Sequence, residues 1–141
     1  MAKKKTVKFE EVEIVEKPWG SYKVLFQSKY CVVKHLIIKE GHRISLQKHL
    51  NKIEHWTILP GPQKENNQYS IQIGDKIYST SAMSSPLRIP MSPLYIPMDV
   101  VHRAEALKGD LHIIEVASSY KHPGVEEDDI DRYHDDYNRI K

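Results

Sequence analysis

The chain has 141 residues and a mass of 16.4 kDa, the size of one domain, and its 21 basic and 19 acidic side chains leave a formal charge of +2. That balance supplies no field for nucleic acid, and 40% apolar with 28% charged residues excludes a disordered or fibrous chain. A lone Cys31 rules out an internal disulfide, and no run approaches the 18 or so apolar residues of a membrane helix. The expectation is a cytoplasmic protein with neither nucleic acid nor membrane as partner.

In chain order, eight prolines and six glycines separate short runs rich in Val, Ile, Tyr and Thr, the pattern of an all-β chain. The predicted strands are 6–15, 20–27, 31–39, 43–49, 53–59, 68–73, 75–79, 94–97, 101–107 and 111–118. Turns are expected at Glu40-Gly41, Pro60-Gly61-Pro62, Gly74-Asp75 and Gly109-Asp110. The polar run 60–67 and the proline-rich run 80–93 read as loops. From Glu126 the period changes. Ile130, Tyr133, Tyr137 and Ile140 recur at three and four residues behind Glu126, Glu127, Asp128 and Asp129, which predicts a short amphipathic C-terminal helix with acid at its N-terminal end. The organisation expected is an N-terminal arm or edge strand over 1–16, a barrel over 17–120 and a helical tail over 121–141.

The segment from Gly41 to Gly61, GHRISLQKHLNKIEHWTILPG, carries the chemistry. On a strand over 43–49, alternation puts Arg43, Ser45, Gln47 and His49 on one face. An antiparallel strand beyond a turn at 50–52 would bring Glu54 opposite them, with Trp56 beside it and His55 facing away. Polar groups converging inside an apolar barrel must be satisfied, and a divalent metal suits imidazole, carboxylate and amide oxygen together. His102, far along the chain behind Pro97, is the fourth candidate ligand. His35, His42, His112, His122 and His134 read as ordinary surface or core residues, and Trp19 and Trp56 as core aromatics.

The spacing of Gly41, Gln47, His49, Glu54 and Gly61 resembles the first motif of the cupin superfamily, with Gln in place of its first His. Pro97, Asp99 and His102 are similar to the second motif, with Asp99 where the family has Gly and Ala106 where it often has Asn. KPWGSY at 17–22, SLQKH at 45–49, IEHW at 53–56, YIP and VHR within 95–103, IIEV at 113–116 and EDDIDRY at 127–133, in that order, resemble the isomerase domain of type II phosphomannose isomerases. That domain is often fused to a mannose-1-phosphate guanylyltransferase, for which this sequence shows no counterpart. Asn51 stands where those relatives usually carry a second His, outside the ligand register.

The resemblance implies a cupin barrel, a metal held by Gln47, His49, Glu54 and His102, and interconversion of mannose 6-phosphate and fructose 6-phosphate through an enediol, feeding activated mannose for polysaccharide synthesis. Zinc is the first expectation for the metal, with cobalt and manganese as alternatives. Arg43, Lys52, Arg103 and Arg132 are the candidates for the phosphate; Arg103 ranks last because it alternates away from His102, and the resemblance implies a functional arginine at Arg132. Lys52 and Glu115 are the candidate proton carriers. The competing readings are a non-catalytic cupin that recognises a sugar phosphate or nucleotide sugar, a sugar epimerase needing no metal, and a dioxygenase with an open iron site. A homodimer is expected, with 6–15 as its candidate edge strand.

Overall fold

The computed structural model describes Lys3 and residues 12–59, 67–80 and 93–139. Its strands are β1 (Ile14–Lys17), β2 (Gly20–Gln27), β3 (Cys31–Ile38), β4 (Leu46–Lys48), β5 (Ile53–Ile58), β6 (Gln68–Ile73), β7 (Lys76–Ser79), β8 (Leu94–Ile96), β9 (His102–Lys108), β10 (Leu111–Ser118) and β11 (Asp131–His134). Two antiparallel sheets face each other, one ordered β1-β2-β3-β10-β5-β8 and the other β11-β4-β9-β6-β7. Strict burial alternation along β3 and β10 shows why these runs are strands: every second side chain enters the shared core and its neighbour faces out. Ile38, Trp56, Ile71, Ile96 and Ile113 are fully buried there, each worth roughly 1.5–3 kcal/mol.

Two glycines set the chain path. Gly74 closes the β6–β7 hairpin at φ 56°, a left-handed conformation that a two-residue turn demands. Gly20, in the KPWGSY run, stands at φ 152°, and a Cβ there would lie 1.9 Å from the Ile37 carbonyl oxygen. The β2–β3 pairing closes over that bare backbone, so Gly20→Ala is expected to destabilise the fold by about 2 kcal/mol or more, read from the urea midpoint at unchanged slope.

Three expectations are corrected. First, the described residues hold no α-helix, and 121–139 is no helical tail: Asp131–His134 forms β11, pairing antiparallel with β4. The open edge of β4 offers backbone partners that a short isolated helix would lack, and the acids that looked like an N-terminal dipole match bind elsewhere. Glu127 pairs with Lys34, and the Asp129 carboxylate accepts the backbone N–H groups of Leu50 and Asn51, while farther on Asp135 forks onto Arg139 (2.8 and 3.0 Å) and Asp136 onto Arg43 (2.8 and 2.9 Å). Second, the segments 43–49 and 53–59 form no hairpin. Only 46–48 is strand, and β4 and β5 lie in opposite sheets, so Glu54 meets Gln47 and His49 across the barrel interior. Third, the described part of the expected strand 6–15 is strand only from Ile14, with 12 and 13 outside it; 6–11 lies outside the described residues. So do 60–66 and 81–92 from the two expected loops.

Candidate metal centre

Glu54, 2% exposed, occupies the middle of the barrel between two imidazoles. Its Oε1 lies 3.1 Å from His49 Nε2 and its Oε2 3.4 Å from His102 Nε2. The other ring nitrogen of each histidine is committed: His49 Nδ1 donates to the Asp129 carbonyl (2.6 Å) and His102 Nδ1 to the Val100 carbonyl (2.9 Å). With Nδ1 carrying the proton, both Nε2 lone pairs point at the carboxylate, an arrangement of facing acceptors.

Gln47 completes the group. It is the cross-strand partner of His102, and its Nε2 lies 3.4 Å from His49 Nε2 while Ser45 Oγ donates to its Oε1 at 2.6 Å. Because a hydroxyl can accept as readily as donate, the opposite amide orientation is equally compatible with Ser45 and turns Oε1 inward.

These residues fit a divalent cation. Glu54 Oε2 and His102 Nε2 are buried with no hydrogen-bond partner, and the ligand atoms of His49, Glu54 and His102 all lie within 4.8 Å of one another. Four ligands about 2.0–2.1 Å from a tetrahedral metal sit about 3.3 Å apart, close to the 3.1 and 3.4 Å separations here. The charges lean the same way. Burial pushes the Glu54 carboxyl up, but His102 and His49 outweigh it and hold the group well below the usual carboxylate range. Burial likewise opposes a charge on His102, and Glu54 reverses that to raise it. The pocket is built to keep Glu54 ionised.

The cluster opens on a cavity lined by Gln47, His49, Lys52, Glu54, Glu115 and Arg132, so six of the residues singled out in the sequence converge, with His102 behind them at zero exposure. Lys52 Nζ is 3.8 Å from Glu54 Oε1. Glu115 accepts a hydrogen bond from Trp56 Nε1 at 3.1 Å, and burial together with the charge of Glu54 pushes its carboxyl up to about 7. Arg132 presents a buried Nε with no hydrogen-bond partner while another of its nitrogens donates to the Arg139 carbonyl at 3.2 Å, and burial and neighbouring Arg139 push its guanidinium below its ordinary value.

Arg43 and Arg103 do not join them. Ile44 and Ser45 are both buried, which breaks the alternation that would have put Arg43 on the face of Gln47. Arg43 is forked to Asp136, and Arg103 bonds the Ile44 carbonyl and His134. Both are structural cations on the outside of the five-stranded sheet.

Sequence reasoning missed three contributors. Lys34 lines the cavity, pairs across strands with Glu115, reaches Glu127 and stands 4.4 Å over the Tyr22 ring. Its signal was a lysine at an inward position of an otherwise apolar alternation. Arg139 lines the same cavity. Asp129 was read only as a helix-start acid within EDDIDRY: besides its carbonyl on His49, its carboxylate accepts the backbone N–H groups of Leu50 and Asn51 at 2.9 Å each. This brace fixes the loop that carries His49. Asp129→Ala is therefore expected to weaken metal affinity about 10–100-fold while leaving the ligands in place, measurable by competition with a chromophoric chelator.

An antiparallel two-sheet barrel with a Gln, His, Glu and His cluster inside it defines a cupin, and solved cupin structures share the architecture. A cupin-2 domain from Rhodospirillum rubrum superposes with a TM-score of 0.58 at 14% identity, covering 89% of this chain and 82% of that one. The capsular polysaccharide assembling protein CapF from Staphylococcus aureus gives 0.60 at 17% identity, over 85% of this chain and 33% of that one. More specifically, residues 3–135 match the family described as mannose-6-phosphate isomerase C-terminal, and the chain belongs to that family. It is 37% identical over 127 residues to the alginate biosynthesis protein AlgA of Pseudomonas aeruginosa and 33% identical over 127 residues to the xanthan biosynthesis protein XanB of Xanthomonas campestris. It is 30% identical over 128 residues to the mannose-1-phosphate guanylyltransferase ManC of Salmonella typhimurium. Each match covers 89% of this chain but 23% of the relative, so the chain spans about a quarter of the length of these curated relatives.

Proposed function

We propose that this domain is a metal-dependent aldose–ketose isomerase acting on mannose 6-phosphate and fructose 6-phosphate. The observation that supports it most is the cavity in which an ionised Glu54 between two imidazoles faces Lys52, Glu115 and an arginine with a buried, unpartnered nitrogen. Gln47, His49, Glu54 and His102 would hold the metal, zinc before cobalt or manganese, and the ion would supply positive charge to the carbonyl and enediolate oxygens.

The reaction moves one proton from C2 to C1 while the hydroxyl proton passes from O2 to O1. A carboxyl with a pKa of about 7 is matched to take and return a carbon-bound proton near neutrality, which suits Glu115 as the base. Trp56 orients that carboxylate. Lys52, beside Glu54, suits the role of donor to a substrate oxygen. Arg132, with Arg139 next to it, offers guanidinium donors to a phosphate dianion. Among the described residues no helix is long and apolar enough to cross a membrane.

The test is proton NMR of mannose 6-phosphate in D2O with protein loaded in parallel with zinc, cobalt or manganese. Fructose 6-phosphate with deuterium exchange at the reacting carbons, abolished by chelator, supports the assignment. A tightly bound metal with neither exchange nor product under any loading overturns it and leaves a cupin that recognises a sugar phosphate without transforming it.

A further inference from the structure

We propose that Lys34 is an anion-binding residue of the cavity, and that the protein's own Glu127 holds its place until the phosphate group of a sugar phosphate displaces that carboxylate. The ligand class rests on the isomerase assignment proposed above; the residue is one to which that assignment gives no role. Lys34 lies on β3 between buried Val32 and Leu36, at a position whose side chain enters the barrel. It is the cross-strand partner of Glu115 and lines the same cavity as Lys52, Glu54 and Glu115. A buried ammonium without a partner is costly, so this position demands an anion.

The anion that answers it is Glu127, on the segment between β10 and β11. The two partners are unequal: the Lys34 side chain is 8% exposed and that of Glu127 66%. Once released, the carboxylate returns to water, whereas the lysine stays buried and must keep a counter-charge. Exchange of Glu127 for another anion meets that demand; loss of Glu127 alone does not. The main chain need not move, because it is tied on both sides of Glu127. Val125 N–H donates to the Lys29 carbonyl at 2.9 Å, and Asp129 braces the loop of His49. Rotation about the Glu127 side-chain bonds is enough to vacate the lysine.

The surroundings hold more positive charge than one carboxylate answers. Lys17 and Lys34 stand 5.8 and 4.4 Å from the centroid of the same Tyr22 ring, and both line the cavity with Lys52 and Glu127. Burial pushes the Glu127 carboxyl up, yet Lys34, then Lys52 and Lys17, hold it below the usual carboxylate range. Even with Lys52 shared with Glu54 at 3.8 Å, two lysines act on that single negative charge. A phosphate monoester carries close to two negative charges near neutrality and presents several acceptor oxygens, and lysine binds phosphate as a point charge. Glu127 is the one hydrogen-bond acceptor of Lys34 Nζ among the described residues, so the ammonium has further N–H groups to offer. Arg132 and Arg139 line the cavity from β11 and the segment beyond it, and Lys17 and Lys34 from the six-stranded sheet, so both sheets bring cations to one cavity.

The experiment is isothermal titration calorimetry of the metal-loaded full chain with mannose 6-phosphate and with inorganic phosphate, across wild type, Glu127→Gln and Lys34→Met. An ion pair that only holds the fold together would shift both variants the same way or neither. A placeholder gives opposite signs. Glu127→Gln is expected to bind both ligands about 3–10-fold more tightly, because the competing carboxylate is gone, and Lys34→Met about tenfold or more weakly. Methionine keeps the buried stem, and circular dichroism with one bound metal per chain certifies folding. Should Lys34→Met not fold, the sign at exposed Glu127 decides alone. Shifts of the same sign, a Glu127→Gln affinity no tighter than wild type, or no binding of either ligand to any folded form overturns the proposal. Turnover is read separately by the NMR assay. Opposite signs without product reject the isomerase assignment and keep Lys34 as an anion site, whereas product with same-sign shifts does the reverse.

Discussion

Glu54→Gln is expected to abolish the metal centre while preserving side-chain volume. The wild-type carboxylate lies between His49 Nε2 and His102 Nε2 with Lys52 Nζ 3.8 Å away, so its charge organises three neighbours at once. A neutral amide brings a donor group into a pocket whose converging atoms are acceptors, and it removes the anion a divalent ion needs. Metal affinity should fall about 100-fold or more, and isomerase activity with it by about a thousandfold. Elemental analysis after gel filtration and single-turnover assays read the two effects. Stability separates metal loss from misfolding: excess chelator should lower the melting temperature of wild type but not that of the folded variant, because binding to the native state alone stabilises it. A variant that retains stoichiometric metal would remove Glu54 from the ligand set.

Lys52→Met should act on the reaction alone. Lys52 is 6% exposed, lines the cavity and contacts a ligand without being one in the proposed set. Methionine keeps the buried aliphatic stem and deletes the charge. The expected result is full metal occupancy with kcat reduced about 10²–10⁴-fold, the range for losing a positioned proton donor. Glu115→Gln should behave likewise and, if Glu115 is the base, also suppress deuterium exchange at the substrate carbon. If either variant keeps kcat within about threefold of wild type, that side chain plays no part in proton transfer. Lys52→Arg distinguishes charge from fit, since a guanidinium restores the charge but not the compact ammonium.

Much of the site was legible because its residues lie on or next to strands where alternation holds. Gln47 and His49, then Glu54 and Trp56, are two apart and share an interior; His102 opens β9 with its imidazole at zero exposure. Glu115 could be read for the same reason, as a carboxylate in line with buried Ile113 and Ala117. Lys34 carried an equally clear sign, since it replaces an apolar residue between buried Val32 and Leu36, and its cross-strand partner is Glu115. Asp99, where the resemblance expects glycine, adopts φ 61°, which accounts for that preference. Its carboxylate accepts from Lys48 at 2.6 Å.

The sequence alone therefore determined the fold class, the family and the candidate ligand set, because period-two burial and motif spacing are local properties of the chain. Tertiary structure decided what local pattern cannot encode. Arg43 left the site because two consecutive buried residues, Ile44 and Ser45, break its register with Gln47. Glu54 meets His49 across the barrel because β4 and β5 pair with different sheets. The residues read as a helix became β11 because the free edge of β4 supplied hydrogen bonds that three-and-four spacing could not foresee. Asp129, whose partners are 78 to 80 residues away, became the brace of a metal-ligand candidate only once those distant backbone groups were brought together. In each case the deciding interaction is non-local, and its energy depends on which strands meet.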